Sequence, residues 1–190
     1  VSMRLDSVIK FPRQLLLGAI QDNSLIEEMG VEIAKQCKLT GVHVNFAPDI
    51  DVNVNPNNPV INSRSFGENP KEVGGKGVAY MNGLQKNKII ASAKHFPGHG
   101  DTDTDSHYSL PTIKHNRKRL DNVELKPFVE LINNGVASVM VAHLYVPSLD
   151  KRNNRATTLS YNVVTKMLRD SLGFKGLTFT DALNMKGVAN

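Results

Sequence analysis

Short apolar runs recur along this chain, and between each and the next lies a polar stretch with helix signals. The runs are "LLLGAI" (15–20), "GVHVNFAP" (41–48), "IIASAKH" (89–95), "VASVMVAH" (136–143) and "GLTFTD" (176–181). From Ser24 to about Lys38, Ser24 and Glu27 stand at capping-box spacing, and Ile26, Met29, Ile33 and Ala34 repeat with helical period. Asn69, Pro70 and Glu72 read as the N-cap, first-turn proline and first-turn acid of a helix running to about Lys86. "LDNVELKPFVELINNG" (120–135) is a helix that starts, restarts or kinks near Pro127. "SYNVVTKMLRDSLG" (160–173) is a helix capped by Ser160 and closed by Gly173. Strands alternating with helices predict parallel β/α units whose sheet is covered on both faces. No glycine-rich phosphate fingerprint follows any run, so a (β/α)8 barrel is favoured over a dinucleotide-binding sheet. About five β/α units are fewer than a closed barrel needs. Residues 1–190 therefore read as one incomplete barrel domain, truncated at both ends.

Composition narrows the classes. The lone Cys37 excludes an internal disulfide and a cysteine-based metal site. A net charge of +5 gathers in "KHNRKR" (114–119) and "DKRNNR" (150–155), yet no aromatics interleave with these charges, so nucleic acid is not an expected partner. The longest apolar run, "VASVMVA" (136–142), is too short to span a bilayer, and the opening residues hold no apolar signal segment. A lone cysteine leaves the compartment open between cytoplasm and cell envelope.

The chemistry-bearing residues follow the strands. Asp49 and Asp51 come after the second run and Arg64 lies in the long loop beyond it. Lys94 and His95 close the third run, His143 the fourth and Asp181 the fifth. In a parallel barrel all of these share one rim, the rim that carries active sites.

One loop, "KHFPGHGDTDTDSH" (94–107), is dense in titratable groups and admits three readings. The first is a metal site from His95, His99, Asp101, Asp103, Asp105 and His107. A calcium-loop template fails, with Ser106 at its glycine position and Thr112 at its glutamate position, while zinc through the histidines stays open. The second is acid/base chemistry by Asp105 and His107, close enough for a carboxylate to orient an imidazole. The third is structural, and it is the favoured reading for His99. Asp181 likewise either caps a following helix or supplies a nucleophile.

"NPVINSRSFGENP" (58–70), "AKHFPGHGDTDTDSHYSLP" (93–111) and "FTDALNM" (179–185) resemble glycoside hydrolase family 3, and within it the NagZ-type bacterial β-N-acetylglucosaminidases. The resemblance runs from about Phe11 to the last residues. It implies a retaining exo-β-N-acetylglucosaminidase releasing terminal β-linked GlcNAc from peptidoglycan-derived muropeptides. Asp181 would be the nucleophile, His107 the general acid/base and Asp105 its dyad partner. Arg64, Lys94 and His95 would contact the sugar, although Arg64 also suits a loop anchor and Lys94 a rim ion pair. Asp49 and Asp51 are expected to hold the loop by hydrogen bonds. No metal or organic cofactor is implied, the partner is a GlcNAc-containing saccharide, and fused domains outside this chain are expected. The rival readings are a chitooligosaccharide hydrolase, an N-acetylglucosaminide phosphorylase and a non-catalytic sugar-binding domain.

Overall fold

The computed structural model describes residues 6–103, 110–185 and 188. Its four strands are β1 (Val44–Asn45), β2 (Ile90–Phe96), β3 (Ser138–Val141) and β4 (Leu177–Thr180). They pair side by side in chain order, all parallel, with Val44 opposite Ile90, Ser92 opposite Ser138 and Ser138 opposite Leu177. A sheet wound in one direction, without reversal of strand order, is the beginning of a barrel and not of a doubly wound sheet. Its curvature is visible in one contact. Phe46, just after β1, meets Phe179 of β4 edge-to-face at 5.1 Å between ring centroids. Neighbouring strands lie about 4.8 Å apart, so rings projecting from opposite edges of a flat four-stranded sheet could not meet. The sheet is an arc of a (β/α)8 barrel, curled around its inner face.

The first apolar run, 15–20, is not a strand. Its first three residues belong to one helical turn, α1 (Gln14–Leu17), which buries Leu17 and leaves Leu15 and Leu16 exposed. A run this short carries no period that separates strand from helix. The described units therefore contain four strands where five were expected.

Helix α2 (Asn23–Leu39) buries Ile26, Met29, Ile33, Ala34 and Cys37 along the anticipated face. Its cap is Asp22, whose carboxylate accepts the Ser24 N–H at 2.9 Å, so Ser24 lies inside the first turn and does not cap it. Helix α3 (Pro70–Gln85) starts as read: Asn69 Oδ1 accepts the N–H groups of Lys71 and Glu72, and Pro70 occupies the first turn. The stretch around Pro127 resolves into two helices, α4 (Arg117–Asn122) and α5 (Lys126–Asn133). Proline is tolerated in a first turn because its missing N–H has no helical acceptor there. The last crossover is a π-wound helix, Asn162–Ser171, in which the Ser160 hydroxyl accepts the Val163 N–H and Gly173 follows with φ +67°. Among the described residues no helix is long and apolar enough to cross a membrane.

Helices α2 and α3 cross backbone to backbone at Gly30 and Gly83. A Cβ on Gly83 would stand 2.8 Å from the Gly30 Cα. Alanine normally gains about 1 kcal/mol over glycine inside a helix, whereas overpacking costs about 1–3 kcal/mol. Because that Cβ would also stand 2.2 Å from the Glu27 carbonyl and meet only backbone, the cost lies in the upper half of that range, and Gly83→Ala is expected to lower stability by about 1–2 kcal/mol net. A urea titration that finds it neutral or stabilising would refute the close crossing.

Candidate active site

The site is organised around a buried carboxylate. Asp51 is fully buried beyond the end of β1, and its oxygens face donors from the end of β2 and the loop after it. They accept the His95 backbone N–H at 3.2 Å, the His99 backbone N–H at 2.6 Å and the His95 Nδ1–H at 2.7 Å. The expectation that Asp51 and Asp49 hold the loop is met. Asp49 Oδ1 takes the Asp51 N–H at 3.3 Å, and Asp49 pairs alongside Lys94 as the irregular continuation of β1.

With Nδ1–H committed to Asp51, the neutral His95 ring presents the lone pair of Nε2. Arg64 Nη2 lies 3.2 Å from it and 3.2 Å from Asp49 Oδ2. Arg64 Nη1 donates to the Val60 carbonyl at 3.3 Å, so the guanidinium is held on two sides with a third of the side chain exposed. Arg64 is thus both the loop anchor and a group at the rim. Burial pushes His95 down to about 4, against the pull of Asp49. Burial, reinforced by the Asp51 charge, pushes Asp49 up to about 7, against His95, Arg64 and Lys94. Burial also lowers the Lys94 ammonium, with Asp49 opposing.

The start of the loop after β2 is fixed from several directions. The Thr102 hydroxyl meets His99 Nδ1 at 2.8 Å, and the Asn58 amide donates to the His99 carbonyl at 2.8 Å. Asn55 donates to Asp103 at 2.8 Å. Gly100 lies so close to the Val52 carbonyl that a Cβ there would overlap it. His99 is therefore satisfied by its loop at Nδ1, in keeping with the structural reading, while Nε2 is buried without a partner among the described residues. Asp101 pairs with His115 and lies 3.5 Å from Arg119, which also holds Glu124 at 3.1 Å.

Arg64, Lys94, His95 and Asp181 line one cleft of about 220 Å³, together with His99, Phe46, Val60, Met140 and Met185. The rim grouping expected from strand ends is met for these four. Asp105 and His107, the expected dyad, lie outside the described residues. Of the six residues in the metal reading, Asp105 and His107 are not described, and among the others His95 turns to Asp51, His99 to Thr102 and Asp101 to His115. Asp49, Asp51 and His95 do bring ligand atoms within 4.8 Å of one another, but Arg64 lies against Asp49 and the His95 Nδ1 proton against Asp51. The apolar wall of Phe46, Val60, Met140 and Met185 was missed. No sequence pattern marks it, and Phe46, 45% exposed, lies inside a run that reads as a buried strand.

The opposed shifts of His95 and Asp49 predict a measurable offset. Between about pH 4 and 6.5 the unfolded chain protonates His95 while the folded chain does not, so this residue makes stability rise with pH. Between about pH 4 and 7 the folded chain keeps a proton on Asp49 that the unfolded chain has lost, so this residue makes stability fall with pH. Asp49→Asn removes the second slope and leaves the first. The variant's urea midpoint should climb from pH 4.5 to 6.5 more steeply than the parent's. Equal slopes would mean the two groups do not oppose each other.

Known proteins share this framework. Residues 1–190 match the glycosyl hydrolase family 3 N terminal domain. "Beta-hexosaminidase A" of Pseudoalteromonas piscicida is 43% identical over 97% of the chain, which spans 33% of that protein. A family 3 β-N-acetylglucosaminidase from Paenibacillus sp. str. FPU-7 superposes with a TM-score of 0.95 at 42% identity, over 97% of this chain and 35% of its own. NagZ from Neisseria gonorrhoeae in complex with N-trifluoroacetyl-D-glucosamine gives 0.87 at 31% identity, over 94% of this chain and 54% of its own. The chain thus spans about a third to a half of the relatives it matches. With the whole chain matched and the barrel arc shared, the protein belongs to glycoside hydrolase family 3 and carries its N-terminal, TIM-barrel-like domain.

Proposed function

We propose that the protein is a retaining exo-β-N-acetylglucosaminidase that removes terminal β-linked GlcNAc from peptidoglycan-derived muropeptides. The observation that carries this reading is the convergence of Arg64, Lys94, His95 and Asp181 on one cleft with an apolar wall. A pyranose presents hydroxyls around its edge and C–H groups on its faces, and such a cleft suits both. The similarity to proteins named β-hexosaminidase, and to one holding an N-acylated glucosamine, supports the sugar class.

In this mechanism the Asp181 carboxylate attacks the anomeric carbon as the glycosidic C–O bond breaks. His107, as imidazolium, gives its proton to the departing oxygen. A covalent glycosyl-aspartate forms with inverted configuration. His107, now neutral, takes a proton from water as that water attacks the same carbon, and a second inversion restores the β-configuration. Asp105 orients the imidazole and favours its charged form. Arg64 and Lys94 hold sugar hydroxyls, with His95 completing the floor. No step requires a metal ion.

The test is turnover of an aryl N-acetyl-β-D-glucosaminide by the complete natural protein, with a chelator present. Asp181→Ala should lower kcat by roughly 10³-fold or more, and His107→Ala by about 10²–10⁴-fold. Proton NMR of the first-formed sugar should show the β-anomer. A folded protein that turns over no aryl N-acetylglucosaminide would overturn the enzymatic reading, and an α-anomer would overturn the covalent mechanism.

A further inference from the structure

His143 stands at the C-terminal end of β3 and is 1% exposed, yet it lines no part of the cleft described above. Its two ring nitrogens have different partners. Nε2 lies 3.1 Å from the carbonyl oxygen of Ala182, the residue after Asp181. Nδ1 lies 2.6 Å from the Thr158 hydroxyl. A carbonyl can only accept, so Nε2 carries a proton. In the neutral ring Nδ1 then offers a lone pair at 2.6 Å to the Thr158 hydroxyl, whose other acceptor, the Ala142 carbonyl, lies farther off at 3.3 Å.

Thr158 is itself held in place. It sits in the 3₁₀ turn Thr157–Leu159. The Thr157 hydroxyl donates to the Ala142 carbonyl at 2.6 Å and accepts the Leu144 N–H at 3.1 Å, which fastens that turn to the end of β3. The chain of bonds therefore runs from a fixed turn, through an imidazole of defined tautomer, to the backbone just beyond β4.

That backbone aims Asp181. The Asp181 N–H is bonded to the Val141 carbonyl at 3.0 Å. Its Oδ1 accepts the N–H of Ala182 at 2.8 Å, and the Ala182 carbonyl also accepts the Met185 N–H at 3.1 Å. The orientation of Ala182 thus sets which way the carboxylate points, and it also places Met185 on the cleft wall. We infer that His143 is a positioning residue: by donating Nε2–H to the Ala182 carbonyl it locks the turn after β4 and holds the Asp181 carboxylate in line with the sugar carbon. The inference rests on Asp181 being the nucleophile. A displacement of the reacting group by about 1 Å can cost roughly 10²-fold in rate.

The experiment compares His143→Leu, His143→Gln and His143→Asn with Asp181→Ala in the complete natural protein. It records kcat and KM on an aryl N-acetyl-β-D-glucosaminide. It also follows, by intact mass, the rate at which a slow fluorinated N-acetylglucosaminide accumulates on the enzyme. His143→Leu should lose roughly 30-fold in kcat and in that accumulation rate, with KM within about 3-fold of the parent. Gln places its amide N–H where Nε2 stood and should stay within about 3-fold of the parent. Asn reaches only towards Thr158 and should resemble Leu. The proposal is overturned if His143→Leu keeps parental kcat while Asp181→Ala is silent, or if Gln is as impaired as Leu. Should His143→Leu not fold, the Gln and Asn variants decide, and an Asn variant equal to or better than Gln is the overturning result. Full activity in Asp181→Ala would instead remove the nucleophile reading, and the positioning role with it.

Discussion

The Asp51 carboxylate ties the end of β1 to the end of β2 and the loop after it. It is removed from water, and a buried carboxylate without donors is strongly disfavoured, so its oxygens must be supplied from the protein. The donors are the N–H groups of His95 and His99 and the His95 imidazole, which together pin the end of β2 and the first residues of the next loop to the end of β1. Charge-assisted bonds of this kind are the strong ones, and here their geometry leaves His95 one way to face. Once Nδ1 is used, Nε2 meets Arg64, and Arg64 in turn meets Asp49.

The same arrangement supplies most of the polar lining of the cleft. Lys94 and His95 belong to the end of β2 and Arg64 to the loop after β1, which Asp51 ties together, and Asp181 comes from the far end of the arc. The apolar lining includes Phe46, just after β1, which the curl of the sheet brings against Phe179, and Met140 of β3. Asp181 needs its own support, since it stands just past a strand whose Leu177 is half exposed. His143 supplies that support from the neighbouring strand end.

Much of this was legible from residue order, though unevenly. Asn69 and Pro70 announce a helix start because side-chain capping and a fixed φ are local properties. The reading of Ser24 as a cap failed because Asp22, two residues earlier, offers an acceptor to the same turn, and spacing alone does not rank the two. "LLLGAI" failed because six apolar residues fit either a strand or a helical turn, and burial of Leu17 against the core decided between them. His99 was read as structural, and its Nδ1 bond to Thr102 agrees. The partners of His143 could not be read at all. Thr158 and Ala182 lie 15 and 39 residues away in the chain, and no local pattern joins them to it.

What the amino-acid order determined by itself was the succession of parallel β/α units, the family motifs, and the placement of Lys94, His95 and Asp181 at strand ends with Arg64 in a loop between strands. Each of these follows from local periodicity, capping or motif spacing, which neighbouring residues settle among themselves. Tertiary structure alone decided which donors fill the Asp51 oxygens, which tautomers His95 and His143 adopt, and that Phe46 meets Phe179 across the arc. Those are consequences of burial and curvature. A polar group excluded from water takes the partner the fold brings to it, and that partner is set by the path of the whole chain.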